Sequence, residues 1–286
     1  MKLVTKTGNL ERRVGIKKAI QLIAESGFDG FDYSIYEEDY VGFIDKSTEK
    51  QLIEKGKEVL GYSKEYNIPC LQSHAPAFVI PKEKTAGEYV EYVKKAMIIV
   101  AETGCDRIVV HPANWFSPQD NCDLIYSKIM PFAEKTGMTI LTENMYNWKD
   151  EASIGKETIP TACGTGDKFN ELIKLVNHPL FGACVDVGHA SMVNCEGAVK
   201  MLKTVKGNTF ALHVHDTDLY DDLHTIPFVG KQDWNEITKT LKEIGYKGHF
   251  TYEADGFISN FPEELLPACL SFMEKIGRYL VGKIQD

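Results

Sequence analysis

Between Phe210 and His224 the chain reads FALHVHDTDLYDDLH, with three histidines and four aspartates in fifteen residues. Imidazoles and carboxylates bind borderline and hard divalent cations, and they move protons near neutral pH. The same residue types close other short apolar runs: His74 ends PCLQSH, His111 ends DRIVVH, Glu143 falls in MTILTEN, Asp186 in FGACVDV with His189 just beyond, and Glu253 in HFTYEA. Six of the eight histidines (74, 111, 189, 213, 215 and 224) lie on or just after such ends. Singly, each has an ordinary explanation, since a histidine at a strand end is commonly hydrogen-bonded structure and a glutamate there caps the next helix.

The positioning elements follow from the apolar runs. KLVT, FDGFDYSI, PCLQSH, DRIVVH, MTILTEN, FGACVDV, TFALHVH and HFTYEA, bounded by Gly, Pro or Asn, read as eight strands. Between them lie stretches with helical apolar spacing, such as IKKAIQLIAESG and GEYVEYVKKAMIIVAETG. Strand and helix alternating eight times predicts an α/β fold, a (β/α)₈ TIM barrel forming a single domain over residues 1–286. VTKTGNLERR, after the first run, lacks the G-x-G-x-x-G of a dinucleotide-binding open sheet.

In such a barrel the active site sits at the C-terminal ends of the strands, so these polar residues are expected to converge at one mouth. Several carboxylates and imidazoles brought together out of water need compensation, and a divalent cation supplies it. The minimal ligand set is Glu143, Asp186, Glu253 and one histidine of the seventh strand. His213 and His215 are two apart and share a face. His213 is preferred because HVHD forms His-x-x-Asp, but HDTD from His215 matches as well. A donor set without thiolate suits Mn, Mg, Co, Fe or Zn, and more than one ion is conceivable.

Composition narrows the partners. A net charge of −9 argues against nucleic acid and fits a small-molecule substrate. Seven scattered cysteines with no C-x-x-C pair read as reduced thiols. The opening MKLVTKTGNL lacks a signal-peptide core, and the longest apolar run, AMIIVA, is too short to span a bilayer. The expectation is a cytoplasmic enzyme without membrane attachment, capable of homo-oligomerisation.

TEN at Thr142–Asn144, DVGH at Asp186–His189, HVHDTDLYDDLHTIPFVGKQDW at His213–Trp234 and YEAD around Glu253 together resemble the xylose isomerase-like TIM barrel superfamily. That superfamily groups sugar phosphate isomerases and epimerases with class II abasic-site endonucleases. For the endonuclease branch the resemblance implies nine ligands to three zinc ions, and His74, His111, Glu143, Asp186, His189, His213, Asp222, His224 and Glu253 are the candidates. Against that branch, the four arginines (12, 13, 107, 278) avoid the strand ends, where a phosphate backbone needs donors. Asp216, Asp218, Asp221 and Asp222 stand where the endonuclease wording N-D-S-K carries a basic residue.

The resemblance therefore implies a metal-dependent sugar isomerase or epimerase acting on a ketose or related keto-polyol through a metal-stabilised enediolate. An inosose-type dehydratase and a zinc-dependent endonuclease-like phosphodiesterase are the alternatives. Glu143 and Glu253 are expected to move the proton and His189 to contact a substrate hydroxyl. His74, His111 and Trp115, with Phe116 beside it, are expected to line the substrate. Lys149, Lys156 and Lys168 read as solvated charges.

Overall fold

A computed structural model describes residues 1–35, 38–76, 83–146, 162–193 and 195–285. All eight apolar runs are strands: β1 (Leu3–Lys6), β2 (Gly30–Ser34), β3 (Cys70–His74), β4 (Arg107–Val110), β5 (Thr139–Glu143), β6 (Phe181–Asp186), β7 (Thr209–His213) and β8 (Phe250–Tyr252). They pair in parallel in the order β7-β6-β5-β4-β3-β2-β1-β8. The circle completes just past β7, where Val214 bridges to Tyr252. There Val214 N donates to Thr251 O at 2.8 Å and Glu253 N to Val214 O at 3.1 Å. The result is a (β/α)₈ barrel, which leaves no long sheet edge exposed.

The helices pack outside this cylinder: α1 (Gly8–Val14), α2 (Ile16–Glu25), α3 (Glu38–Lys46), α4 (Glu49–Glu65), α5 (Glu83–Thr103), α6 (Pro118–Asn121), α7 (Ser127–Thr136), α8 (Gly166–Val176), α9 (Val187–Ser191), α10 (Ala198–Val205), α11 (Trp234–Glu243), α12 (Asp255–Ile258) and α13 (Leu266–Gln285). In α2 the spacing of Ile16, Ala19, Ile20 and Ile23 puts one apolar stripe against the strands, and all four are buried. The chain then turns through Gly27 at φ +92°, a left-handed conformation that only glycine adopts readily. α4 starts with a capping box, Gln51 N donating to Thr48 Oγ1 and Thr48 N to Gln51 Oε1. None of the seven cysteines forms a disulfide. Among the described residues no helix is long and apolar enough to cross a membrane.

Period-two alternation decides what fills the barrel. Val109, Leu141, Cys184 and Ala211, from β4 to β7, form a small buried apolar cluster separate from the main core. Residues two further along share their face, so His111, Glu143, Asp186 and His213 stand one layer above this plug. The same step leads from Val4 to Lys6, Gln72 to His74 and Thr251 to Glu253. The lower layer is sealed mainly by apolar side chains, and the upper layer is where titratable groups meet.

Candidate metal centre and active site

Three groups of side chains converge at the mouth, each with one donor atom per residue and all donors within 4.8 Å of one another: His74, Glu143 and His213; Glu143, Asp186, His213 and Glu253; and His189, His215, Asp222 and His224. Glu143 and His213 belong to two groups, so the first two form one inner cluster. His213 Nδ1 lies 3.0 Å from Glu143 Oε2 and 2.8 Å from Glu253 Oε2. His111 Nε2 lies 3.3 Å from Glu143 Oε2 and 3.0 Å from His74 Nε2. The two seventh-strand histidines thus separate. His213 joins the inner carboxylates, while His215 Nε2 lies 3.0 Å from Asp186 Oδ1 and 3.6 Å from Asp222 Oδ1, in the outer group.

Backbone carbonyls fix how the rings face. A carbonyl oxygen can only accept, so each ring nitrogen beside one is the N–H donor. His74 Nδ1 donates to Ala75 O at 2.7 Å, His189 Nδ1 to Asn144 O at 3.0 Å, and His224 Nδ1 to Glu253 O at 2.8 Å. The neutral ring then carries its lone pair on Nε2, which for His189 and His224 faces Asp222 Oδ2 at 3.4 and 3.0 Å. His213 is reversed: Nε2 faces Asp32 Oδ2 at 3.6 Å, and that carboxylate accepts a hydrogen bond from Gln72 Nε2 at 2.8 Å. An outer carboxylate behind an inward imidazole is a common way to orient a metal ligand.

The strand ends are tied so that these groups stay together. Asn144 N δ2 donates to Asp186 O at 2.9 Å and Asp186 N to Asn144 Oδ1 at 2.8 Å, which holds Glu143 beside Asp186. Asp186 Oδ1 also accepts from His189 N at 2.6 Å, capping α9 and aiming His189 inward. Gly188 is required beside His215, because a Cβ there would lie 2.0 Å from the ring. In the seventh loop, Asp216 is fully buried and accepts from the backbone N–H groups of Thr217, Phe228 and Gln232 and from Trp234 Nε1. The acidic run therefore does not act as one repulsive face: Asp216 is consumed in pinning the loop that carries Asp222 and His224. His224 itself sits at φ +44°, a costly conformation for a non-glycine residue.

Glu143 Oε1 and Oε2, Asp186 Oδ2, His213 Nδ1 and Nε2, His215 Nε2, Asp222 Oδ1 and Glu253 Oε2 are all buried without a well-formed hydrogen bond. Buried polar atoms left this way are expensive. Their concentration at one point, with oxygen and imidazole donors only, fits a divalent cation.

Without an ion, the groups compensate one another. Burial pushes the Glu143 carboxyl up, but the His213 and His111 imidazoles overcome it and hold it well below the usual range. Burial likewise opposes ionisation of Glu253, and His213 with Lys6 reverses the sign. Burial lowers His189, yet Asp186 and Asp222 raise it well above an ordinary imidazole. His224 is opposed by burial but raised to about 9 by its hydrogen bond to Asp222. His111 is pushed down, chiefly by burial.

Trp115 is half exposed in the turn after β4, whereas its neighbour Phe116 is buried in the main core. Lys168 lies in the first turn of α8; Lys149 and Lys156 lie outside the described residues. Arg107 begins β4, at the opposite end of the barrel, and Arg278 pairs with Asp29 at 2.6 Å. The sequence reading missed Lys6, Asp32, Gln72 and Tyr146. Lys6, Asp32 and Gln72 sit at inward positions of their strands, so alternation could have revealed them. Tyr146, whose ring centroid is 5.2 Å from that of His189, follows no periodicity.

A family model described as xylose isomerase-like TIM barrel matches residues 20–276. The chain belongs to the xylose isomerase-like TIM barrel family. An uncharacterised protein of Methanocaldococcus jannaschii is 30% identical over 173 residues, a match spanning 57% of this chain and only 56% of that protein. The fructoselysine 3-epimerase of Escherichia coli O157:H7 is 22% identical over 214 residues, 71% of this chain and 70% of the enzyme. Among solved structures, a D-tagatose 3-epimerase-like protein superimposes with a TM-score of 0.74 at 21% identity, covering 99% of this chain and 98% of its own. This likeness carries the xylose isomerase-like fold; the chemistry has to come from the mouth.

Proposed function

We propose that the protein is a divalent-metal-dependent sugar isomerase or epimerase whose substrate is a ketose or related keto-polyol. The supporting observation is the convergence of Glu143, Asp186, His213 and Glu253, from four successive strand ends, with donor atoms within 4.8 Å of one another. The similarity to a fructoselysine 3-epimerase and to a tagatose 3-epimerase-like fold points the same way. An ion held by these four residues would polarise a carbonyl and an adjacent hydroxyl, making the neighbouring C–H acidic.

The chain's own residues do the rest. Glu143 and Glu253 come from β5 and from the residue after β8 and flank the centre, so that one removes a proton and the other returns it. His189 Nε2 faces the mouth beside Asp222 and contacts a substrate hydroxyl. His74, His111 and Trp115 bound the substrate, and the apolar plug beneath the donors keeps water from entering through the barrel. The electron pair released from the C–H bond moves into the carbonyl, giving an enediolate that is reprotonated on carbon.

The test is a panel of ketoses incubated with the Mn²⁺-loaded protein in D₂O. Deuterium beside the carbonyl supports the reading, and its absence across the panel overturns it; loss of water from a cyclic polyol would move the protein to the dehydratase class. One observation favours a second reading: eight of the nine residues of the endonuclease-type set belong to the three adjoining groups, and the ninth, His111, lies 3.3 Å from Glu143. Three zinc ions per chain together with nicking of an abasic duplex would establish that phosphodiesterase reading instead.

A further inference from the structure

Lys6 ends β1 and is buried at the mouth, 8% exposed, where an ammonium is seldom found without a task. Its Nζ lies 2.6 Å from Glu253 Oε1. β1 and β8 pair Thr5 with Tyr252, so Lys6 and Glu253 form the next rung above the ladder. The two oxygens of Glu253 therefore face different cations. Oε1 is held by the lysine, while Oε2 makes no hydrogen bond and points to His213 Nδ1 at 2.8 Å, inside the inner cluster. The lysine stem passes close over Gly8, where an added Cβ would meet Lys6 Cε at 3.2 Å.

This arrangement has opposing consequences for the ion-free and ion-loaded protein. Without an ion, Glu253 is a buried carboxylate beside Glu143 and Asp186, and the ammonium supplies its counter-charge. With a dication on Oε2, the same ammonium stands one carboxylate away and repels it. It also prevents Glu253 from offering both oxygens at once.

Resting on the metal-dependent reading above, we propose that Lys6 is a positioning residue acting through Glu253, a resident counter-cation that presents a single oxygen to the centre and keeps the bound ion exchangeable. Removing its charge should strengthen ion binding although it weakens the ion-free fold. A merely structural lysine would lose both together.

The experiment titrates full-length wild type, Lys6→Met, Lys6→Gln and Lys6→Arg with Mn²⁺ by calorimetry and records thermal unfolding with and without the ion. Lys6→Met should bind Mn²⁺ about tenfold more tightly, or better, and its ion-free form should melt lower. Lys6→Gln, which keeps a donor for Oε1 without the charge, carries the same expectation should the methionine variant not fold, and Lys6→Arg should stay within about threefold of wild type. In a Glu253→Gln background the gain from Lys6→Met should vanish. Unchanged or weaker binding in the uncharged variants, or a gain that persists without Glu253, overturns the role of Lys6. Wild type that takes up no divalent ion overturns the metal-dependent reading itself, and this proposal with it.

Discussion

The inner and outer groups of donors use the same kinds of side chain, carboxylates and imidazoles, but stand on different supports. Glu143, Asp186 and His213 are the last residues of β5, β6 and β7, and Glu253 follows β8 directly, so each is fixed by a parallel ladder. In the outer group only His215 lies beside a strand; His189 rides on the short helix α9, and Asp222 and His224 are held in a loop by Asp216. The inner donors are also wholly buried or nearly so, whereas the Asp222 and His224 side chains are 21% and 26% exposed. Ladder-borne donors form a preorganised centre able to do chemistry, while loop-borne donors form a site whose geometry depends on how well the loop is pinned.

The sharpest way to break this contrast is to remove an inner donor. Glu143→Gln should lower deuterium exchange into substrate about a thousandfold or more, because it deletes the carboxylate proposed to move the proton and a donor shared by both inner groups. Elemental analysis should show loss of inner ion with any outer ion retained. Equal loss from both groups would mean that they form a single cooperative centre. Next in size is Asp216→Asn, which replaces a two-oxygen acceptor of four N–H donors with a group that has one acceptor oxygen. A stability loss of about 2 kcal/mol is expected, read from denaturant unfolding, with ion affinity falling in the outer group and unchanged in the inner one.

The same contrast governs what the sequence disclosed. All eight strands were legible, because each is an apolar run with a punctuating residue on either side, and the inner donors followed from the rule that strand ends face the mouth. The choice between His213 and His215 was not legible. Both point inward, and only the bridge from Val214 to Tyr252, which carries the chain past the end of β7, decides how far above the plug each imidazole stands. That Asp216 pins the loop was not legible either, because its partners, Phe228, Gln232 and Trp234, come from the far side of that loop. Lys6 was passed over as one lysine among many, since local composition says nothing of the carboxylate 247 residues away that receives it.

Acidity supplies a milder probe. His224 is raised to about 9 and Asp222 is lowered, each mainly by the other or by His189 once burial is set against them. In the ion-free protein, His224 contributes stability that is complete below its unfolded pKa of about 6.5 and is lost as pH climbs through about 9. Asp222 contributes stability present above its unfolded pKa of about 4 and lost as pH falls below it. Their pair is thus most stabilising between about pH 4 and 6.5. Ion binding must follow the opposite course, since the imidazole has to release its proton first. Mn²⁺ affinity should rise with pH up to about 9, with protons released on titration in buffers of different ionisation enthalpy. A flat profile would show that the loop-borne donors take no part.

The smallest effect is expected from His215→Asn. His215 is one of four donors in the outer group and none of the inner one, and its Nδ1 makes only a long contact of 3.4 Å with Asp216 O. Asparagine keeps a polar head and fits beside Gly188, so the barrel should lose less than about 1.5 kcal/mol. Outer-group ion affinity should fall about tenfold to a hundredfold, the usual consequence of removing one support of a metal site, while exchange into substrate changes by less than about threefold. His213→Asn, two residues earlier on the same face, should instead reproduce the Glu143→Gln phenotype. If His215→Asn were the more damaging of the two, the catalytic ion would belong to the outer group, and the loop rather than the ladder would be the seat of the chemistry.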